Sequence, residues 1–285
     1  MGVKSATTFQ QQVDLIKRHF PIDNEEQCIS FLNHANYYRL SAYFLPFKNS
    51  DGTYLPNISF QQIQQIYQFD SHIRAIIFQA IEQIEFYLRT QLAYYIGHTY
   101  GALGYRQSEN FSTRHNAEKF KQKLEQCIEE NSTTLVVKHH QQKYNGNFPI
   151  WVIIEFFSMG MLSYLYSDMK TADQKALAKN SFSTSVPCIT SWLRCLTDLR
   201  NRCAHYSRLY FWSFSAIPKM PKDSPHTANN KLFSQLIMLK YLYPDKAHWN
   251  NYYLLQFSAL MEQYQTAISL EHIGFPENWE ELLKA

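Results

Sequence analysis

Apolar residues recur at helical spacing through residues 59–97 of this chain, and this pattern restricts the fold more than any other feature. They are Ile63, Ile66, Ile73, Ile77, Ile81, Ile84 and Leu88. Steps of three, four and seven residues bring side chains to one face of an α-helix, whereas a half-buried strand needs strict alternation. The capping-box pattern Ser59-x-x-Gln62 marks a helix start, and Gly97 marks the expected end. The segment therefore predicts one long helix, or two helices divided at Asp70-Ser71.

Further helices are predicted on both sides of this segment. They cover residues 6–20, 25–35, 117–130, 149–169, 171–181, 185–206, 230–241 and 250–268. Glycine is scarce, with 8 residues in the chain, and this disfavours a turn-rich β architecture. We therefore predict an all-α fold, with one small hairpin possible near residues 44–55, where Asn49-Ser50-Asp51-Gly52 has the composition of a turn.

The length and the proline positions suggest how the chain is organised. Its 285 residues suffice for one large domain or two small ones. We expect N-terminal helices with an aromatic segment in residues 1–58, a helical core in residues 59–215 and a C-terminal helical extension in residues 216–285. Pro218, Pro221 and Pro225 mark an irregular connector into the extension. The three parts are expected to form one compact unit.

Charge and cysteine content narrow the class of protein. The net charge of +3 permits RNA binding without requiring it. The 5 cysteines include no C-x-x-C pair, so they read as reduced thiols, with neither a disulfide framework nor a metal site. Residues 1–20 lack the apolar stretch of a secretion signal, and no apolar run is long enough for a membrane span. We expect a cytoplasmic protein without a membrane segment.

The strongest candidate for a functional site is the hexapeptide Arg200-Asn201-Arg202-Cys203-Ala204-His205. An arginine can hold a phosphate through two parallel hydrogen bonds, and a histidine can give or take a proton near neutral pH. An arginine four to six residues before a histidine is nevertheless expected about once by chance in a chain of this composition. The spacing of arginine and histidine alone therefore does not identify a functional site.

A helical wheel separates the members of this hexapeptide. The apolar stripe holds Trp192, Leu196, Leu199 and Cys203, and the polar face holds Arg194, Asp198, Asn201, Arg202, His205 and Arg208. Asn201 lies four residues before His205, so its amide could orient the imidazole. Arg200 stands apart, on the flank of the apolar stripe and about 140° from His205.

Two interpretations of Arg200 follow, because a cation at the edge of a core needs a partner. In the first, it pairs with a structural carboxylate, for which Glu82, Glu85 and Glu155 are the candidates. In the second, it faces a neighbouring helix or subunit and lines a cleft together with His205. The residue types alone favour the first, since charged groups near cores usually have structural partners.

Four segments, taken in order, resemble the Abi-like family, of the AbiD and AbiF type found in bacterial phage-abortive-infection systems. They are Asn36-Tyr37-Tyr38-Arg39-Leu40-Ser41-x-Tyr43, the pair Phe69-Asp70-x-x-Ile73-Arg74 and Ile81-Glu82-x-Ile84-Glu85-x-x-Leu88-Arg89-Thr90, then Pro149 to Ser163, and Arg200-Asn201-x-Cys203-Ala204-His205. The resemblance covers about residues 30–210, and four motifs in order are far more specific than any one.

The resemblance implies a HEPN-like helical bundle and a chemistry. The HEPN superfamily carries an R-x(4–6)-H motif that marks many members as metal-independent ribonucleases, so Arg200 and His205 would be the catalytic pair, with Asn201 beside the arginine. The implied function is a toxin-like endoribonuclease of phage defence that needs no cofactor. Attack of a ribose 2′-OH on the adjacent phosphate would leave a 2′,3′-cyclic phosphate and a 5′-OH.

The expected partners follow from that chemistry. RNA is the substrate, and a homodimer with a composite active site is predicted, because one histidine cannot readily serve as base and acid at once and the motif occurs once per chain. A toxic nuclease needs restraint, so an RNA or protein antitoxin is a reasonable hypothesis. Two alternatives remain: a non-catalytic RNA-binding or regulatory module on the same scaffold, and a structural helical protein in which Arg200 belongs to a buried ion pair.

Several residues outside the catalytic pair are candidates for RNA binding or for supporting the site. They are Arg202, Arg208, Arg194, Glu85, Arg89 and Arg39. Glu85 and Arg89 form an i, i+4 pair that could orient the motif helix. The dense aromatics from Tyr37 to Phe47 could stack on RNA bases beside Arg39, although such density is more often found in a core.

Overall fold

Helices build the fold over residues 5–285, the part of the chain that this computed structural model describes. They are α1 (Phe9–Lys17), α2 (Glu25–Leu32), α3 (Tyr37–Ser41), α4 (Phe60–Tyr100), α5 (Ala117–Glu130), α6 (Leu135–Lys143), α7 (Ile150–Ile153), α8 (Met159–Asp168), α9 (Thr171–Phe182), α10 (Val186–Ala204), α11 (Leu232–Leu242), α12 (Lys246–His248), α13 (Leu255–Gln263), α14 (Leu270–Ile273) and α15 (Trp279–Leu283). The all-α prediction is confirmed, and α6 is a helix that the sequence did not predict.

The predicted hairpin near residues 44–55 is smaller than expected. Residues Ala42–Phe47 form a 3-10 helix, and only a single antiparallel bridge, between Lys48 and Tyr54, closes the turn that follows. The reason lies in Phe44 and Phe47, which are both buried. Side chains three residues apart share one face of a helical turn but lie on opposite faces of a strand, so only a helical turn can bury both together.

The long helix α4 is continuous, and Asp70-Ser71 does not divide it. Its start is as predicted, since Ser59 accepts a hydrogen bond from the Gln62 N–H at 3.1 Å. Its end lies at Gly101, where φ is +82°, and not at Gly97. With 41 residues, α4 is roughly 60 Å long. It packs against α7, α8, α9, α10, α11 and α13, and so forms the axis of the bundle.

The helix that carries the candidate motif, α10, packs as its wheel predicts. Trp192, Leu196, Leu199 and Cys203 are all buried. The Trp192 ring stacks on Tyr241 of α11, with ring centroids 5.5 Å apart. Contacts with α4, α8, α9 and α11 surround the apolar stripe. The helix therefore presents its C-terminal end, with the motif, at the edge of the core.

The apolar segment that begins at Pro149 is broken, although its sequence predicts one helix. After α7, residues Ile154–Phe156 form a 3-10 turn, Phe157 is extended, and Ser158 caps α8 by accepting from the Met161 N–H at 3.3 Å. Arg89 of α4 donates to two carbonyls at this break, those of Ile154 at 3.3 Å and of Phe157 at 3.0 Å. The turn at the break thus contacts α4 through Arg89.

The C-terminal residues complete the core. Trp249 begins a π-helical turn, Trp249–Leu254, that leads into α13, and its indole N–H donates to the Leu283 carbonyl at 2.9 Å. One hydrophobic cluster extends from Val13 to Leu283. Within residues 5–285, no helix combines the length and the apolar character needed to cross a membrane.

Candidate functional site

The motif helix ends at His205, where the chain turns sharply. The Tyr206 N–H donates to the Cys203 carbonyl at 3.1 Å, and the Ser207 N–H donates to the Arg202 carbonyl at 2.8 Å. This pair of bonds is the Schellman pattern, in which the residue after the C-cap adopts a left-handed conformation. Here that residue is Tyr206, with φ at +55°. His205 is the C-cap itself and is exposed.

Arg39 of α3 holds the turn that carries His205. Its Nη2 donates to the Tyr206 carbonyl at 2.8 Å and to the His205 carbonyl at 3.4 Å. A cation is favourable at the C-terminal end of a helix, where carbonyl groups lack partners. Asn36 caps α3 by accepting from the Tyr38 N–H at 2.8 Å, which fixes the helix that positions Arg39. The N-terminal aromatic segment thus reaches the candidate site directly.

Asp70 binds the backbone just beyond this turn. Its side chain is fully buried, and it accepts from the Leu209 N–H at 3.0 Å and from the Tyr210 N–H at 2.6 Å. The Tyr43 hydroxyl donates to the same carboxylate at 2.6 Å, and Arg74 forms an ion pair with it. An aspartate inside an apolar helix face therefore serves to anchor the segment that follows the motif.

The ionisation of this buried cluster follows from its environment. Burial raises the pKa of the Asp70 carboxyl, and the Arg74 guanidinium and the Tyr43 hydroxyl act against that rise. Burial is the largest single influence on Arg74 and lowers its pKa, but the Asp70 charge, together with Tyr43 and Cys203, leaves that pKa raised. Arg74 also donates to the Ser207 carbonyl at 3.4 Å. The pair therefore spans the gap between α4 and the turn after His205.

Arg200 lies beside Glu85, but Glu85 already has a partner. Arg89 Nη2 donates to Glu85 Oε1 at 2.6 Å, whereas Arg200 Nε is 3.9 Å from Glu85 Oε2. Arg89 is itself fixed by hydrogen bonds to the carbonyls of Ile154, at 3.3 Å, and Phe157, at 3.0 Å. Glu85 is therefore held rigidly by one arginine and faces the other.

The surroundings of Arg200 show which of the three candidate carboxylates lies beside it. Glu85 is the carboxylate brought to it, while Glu82 and Glu155 are exposed. At 3.9 Å the contact is an ion pair and not a hydrogen bond. The Arg200 Nε has no hydrogen-bond partner among the described residues, and the side chain is 36% exposed. The guanidinium is thus oriented by Glu85 and by the Phe78 ring, whose centroid lies 6.0 Å from Cζ, yet keeps free donors.

Two of the arginines that were predicted to bind RNA or to support the site, Arg202 and Arg208, make contacts within the protein. Arg202 donates from Nε to Asp198 at 3.2 Å, and its Cζ lies 4.1 Å from the centroid of the Trp212 ring. Arg208 lies beyond the helix and donates to the Ala42 carbonyl at 2.7 Å, and burial lowers its pKa. The wheel placed Arg208 on the polar face of α10 because it assumed that the helix continued past His205.

The other predicted site residues lie on the polar face of α10. Arg194 and Asn201 are exposed, and the backbone of Asn201 accepts from the His205 N–H at 2.9 Å. Cys203, inside the motif, is buried, and burial raises the pKa of its thiol to about 12. The thiol is therefore a packing group. Among residues 5–285, no set of three His, Cys, Asp or Glu side chains is arranged to bind a metal ion.

Sequence reasoning missed the Asp70 anchor. The sequence did contain an indication of this anchor, because Asp70 is a carboxylate on the apolar face of α4, four residues before Arg74. A buried charge pair at that spacing must be compensated by further partners. The wheel could not supply those partners, since they come from residues 209 and 210.

A comparison with protein-family models finds one match, to the model described as Abi-like protein, over residues 30–211. The chain belongs to the Abi-like family. This membership connects it to abortive infection, a bacterial defence against phage. The match extends from the last turn of α2 to Phe211, the residue after the backbone groups that Asp70 binds, and so includes Arg39, Glu85, Arg200 and His205. Neither a curated protein nor a solved structure shows a significant match to this chain.

Proposed function

We propose that this Abi-like protein is a metal-independent endoribonuclease of the HEPN type that acts as a toxin in the cytoplasm during phage defence. The observation that carries the proposal is the state of Arg200. Its guanidinium lies beside Glu85 without a hydrogen bond to it: Arg89 donates to Oε1 of that carboxylate, the Arg200 Nε is 3.9 Å from Oε2, and this buried Nε has no hydrogen-bond partner among the described residues. Such an arginine suits a phosphate, which accepts two parallel hydrogen bonds.

The proposed reaction transfers a phosphoryl group within the RNA. The 2′-oxygen attacks the adjacent phosphorus and loses its proton, and the bond from phosphorus to the 5′-oxygen breaks as that oxygen gains a proton. The products are a 2′,3′-cyclic phosphate and a 5′-OH. His205 moves protons, and Arg200 stabilises the charge that develops on the non-bridging oxygens. The exposure of His205 at the helix end supports this role, because RNA can approach it.

We further propose that the active site is composite and forms in a two-fold dimer. Arg200 and His205 lie on different flanks of α10, so one chain presents them in diverging directions. A two-fold axis brings equivalent residues of two copies together and supplies two histidines to one cleft. Phe78 and Phe86 of α4, which are 40% and 48% exposed, provide an apolar surface next to Glu85 and Arg200 for such a contact.

The test is cleavage of single-stranded RNA by the purified protein in the presence of EDTA. We expect cyclic phosphate ends from the wild type and a loss of at least about 100-fold in rate for Arg200→Ala and for His205→Ala. Arg200→Lys should recover little, since lysine cannot bind a phosphate in the same bidentate way. The exposed residues Arg114 and His139 provide matched controls, as Arg114→Ala and His139→Ala.

The outcomes separate the three classes of function. Cleavage that persists in both Arg200→Ala and His205→Ala would contradict the proposal. RNA binding by the wild type without any cleavage would identify a non-catalytic RNA-binding module instead. Unfolding of Arg200→Ala alone would make that residue a structural ion-pair member. Co-purification of an inhibitory RNA or protein would identify the antitoxin that a toxic nuclease requires.

A further inference from the structure

Two exposed tyrosines lie next to the turn that carries His205. Tyr38 is 86% exposed and Tyr206 is 66% exposed, whereas Tyr43, Phe44 and Phe47 of the same aromatic segment are buried. The three buried aromatic residues therefore belong to the core, as the density of aromatics in this segment suggested. Tyr38 has no such packing role. An exposed tyrosine ring loses the free energy that its burial would provide.

Tyr206 also adopts a backbone conformation that favours glycine. Its φ of +55° lies in the left-handed region, at the position of the Schellman turn where glycine is the usual residue. A residue with a β-carbon is strained there, and glycine would form every backbone hydrogen bond of the turn with less strain. Strained residues that packing does not explain tend to occur at functional sites. The fold therefore gives no reason for a tyrosine at this position.

A direct contact of Arg39 joins the segment that carries Tyr38 to the turn that carries Tyr206. Arg39, which follows Tyr38 in the chain, donates to the Tyr206 carbonyl at 2.8 Å and to the carbonyl of His205 at 3.4 Å. Two exposed tyrosines and a cation thus belong to the two segments that meet at the exposed histidine. Aromatic faces that stack on bases, together with a cation close to the sugar-phosphate chain, are the means by which proteins bind single-stranded nucleic acid.

We propose that Tyr38 and Tyr206 form a base-binding subsite for single-stranded RNA beside the phosphate that is cut. The proposal rests on the ribonuclease function and adds the class of substrate to it. A ring can stack only on a base that is not already stacked in a duplex, so the subsite selects unpaired RNA. Stacking tolerates every base, so the subsite positions the strand without strong sequence preference.

The subsite is tested by binding to an oligonucleotide that the proposed reaction cannot cut. A fluorescent single-stranded 2′-O-methyl RNA serves as the probe, and the same strand with abasic positions serves as its partner without bases. For Tyr206→Gly and for Tyr38→Ala we expect roughly tenfold weaker binding of the complete strand. Affinity for the abasic strand should stay unchanged. Tyr144→Ala, at an exposed tyrosine beyond the end of α6, should bind both strands as the wild type does.

Tyr206→Gly has a second readout that separates stacking from damage to the fold. Because glycine suits the left-handed position, its melting temperature should be equal to or higher than that of the wild type. Weaker binding with an undiminished melting temperature would support the subsite. Tyr206→Phe should bind as the wild type does, since it keeps the aromatic face.

Three results would overturn the subsite. The first is equal affinity of wild type, Tyr206→Gly and Tyr38→Ala for the complete strand. The second is the same loss of affinity for the abasic strand, which would locate the effect on the backbone. The third is dissociation of a dimer by either substitution, which would make the tyrosines a surface for a second copy.

The failure of the subsite and the failure of the proposed function remain distinguishable. A wild type that cleaves RNA, with tyrosine variants that keep its KM, would refute the subsite and leave the ribonuclease. A wild type that cleaves nothing, yet binds the complete strand through both tyrosines, would refute the ribonuclease and leave the subsite.

Discussion

Replacing Asp70 by asparagine exchanges one carboxylate oxygen for an NH2 group at the centre of the network behind His205. The Asp70 side chain is 0% exposed and that of Arg74 is 9% exposed, so the substitution leaves a buried cation without its counter-charge. The new NH2 group faces donors whichever oxygen it replaces, because Oδ1 accepts from the N–H groups of Leu209 and Tyr210, and Oδ2 accepts from Tyr43 and Arg74. An amide has one acceptor oxygen where the carboxylate has two.

The expected loss follows from these contacts. Breaking a buried ion pair by removing one partner costs about 3–5 kcal/mol of folding free energy. In a protein of this size that corresponds to a fall in melting temperature of roughly 5–8 °C. Tyr43→Phe removes a single donor and leaves the charge pair intact, so its loss should be only about 1 kcal/mol.

Thermal and urea denaturation followed by circular dichroism measure both variants. Asp51→Asn, at an exposed aspartate in the turn closed by Lys48 and Tyr54, is the matched control and should leave the melting temperature unchanged. The double variant Asp70→Asn with Arg74→Met should lose less than the sum of its single variants, because it removes both charges together. A fall of less than about 3 °C for Asp70→Asn would refute the reasoning.

Two further predictions concern the association of the chain and its thiols. Phe86→Glu should convert the proposed dimer to a monomer, measured by light scattering, and should abolish cleavage. Leu135→Glu, at an apolar residue on α6 that is 85% exposed, should change neither the oligomeric state nor cleavage. A Phe86→Glu protein that stays dimeric would place the interface elsewhere. Burial raises the pKa of Cys203 to about 12 and the pKa values of Cys195 and Cys28 to about 11, so alkylation of these three thiols in the native protein should be slow at pH 8 and fast after denaturation. Since unfolded thiols titrate near pH 8.5, the contribution of these three thiols to folding stability should be constant below that pH and decrease above it. Rapid native labelling of any of the three at pH 8 would contradict their raised pKa values.

The helices could be predicted from the sequence wherever the pattern was local. The apolar stripe of α10 and the start of α4 at Ser59 are as predicted, because both depend on neighbours three or four residues apart. Glu85 was one of three candidate carboxylates for Arg200, and a single-helix wheel had no means of choosing among them. The structure selects it through Arg89, which is fixed by carbonyls that only the break near Phe157 makes available.

The sequence by itself determined that this chain is helical, that its motif helix has one buried side, and that Arg200 and His205 stand on different flanks of it. These properties depend on the 3.6-residue period of the α-helix, which is visible in residues that are three or four positions apart. Only the tertiary structure decided how the end of that helix is held. Asp70 and Leu209, whose hydrogen bond fixes the segment after His205, are 139 residues apart in sequence. No local sequence pattern predicts such a contact. It exists only when α4 and α10 pack together and bring a buried carboxylate to backbone N–H groups that need an acceptor.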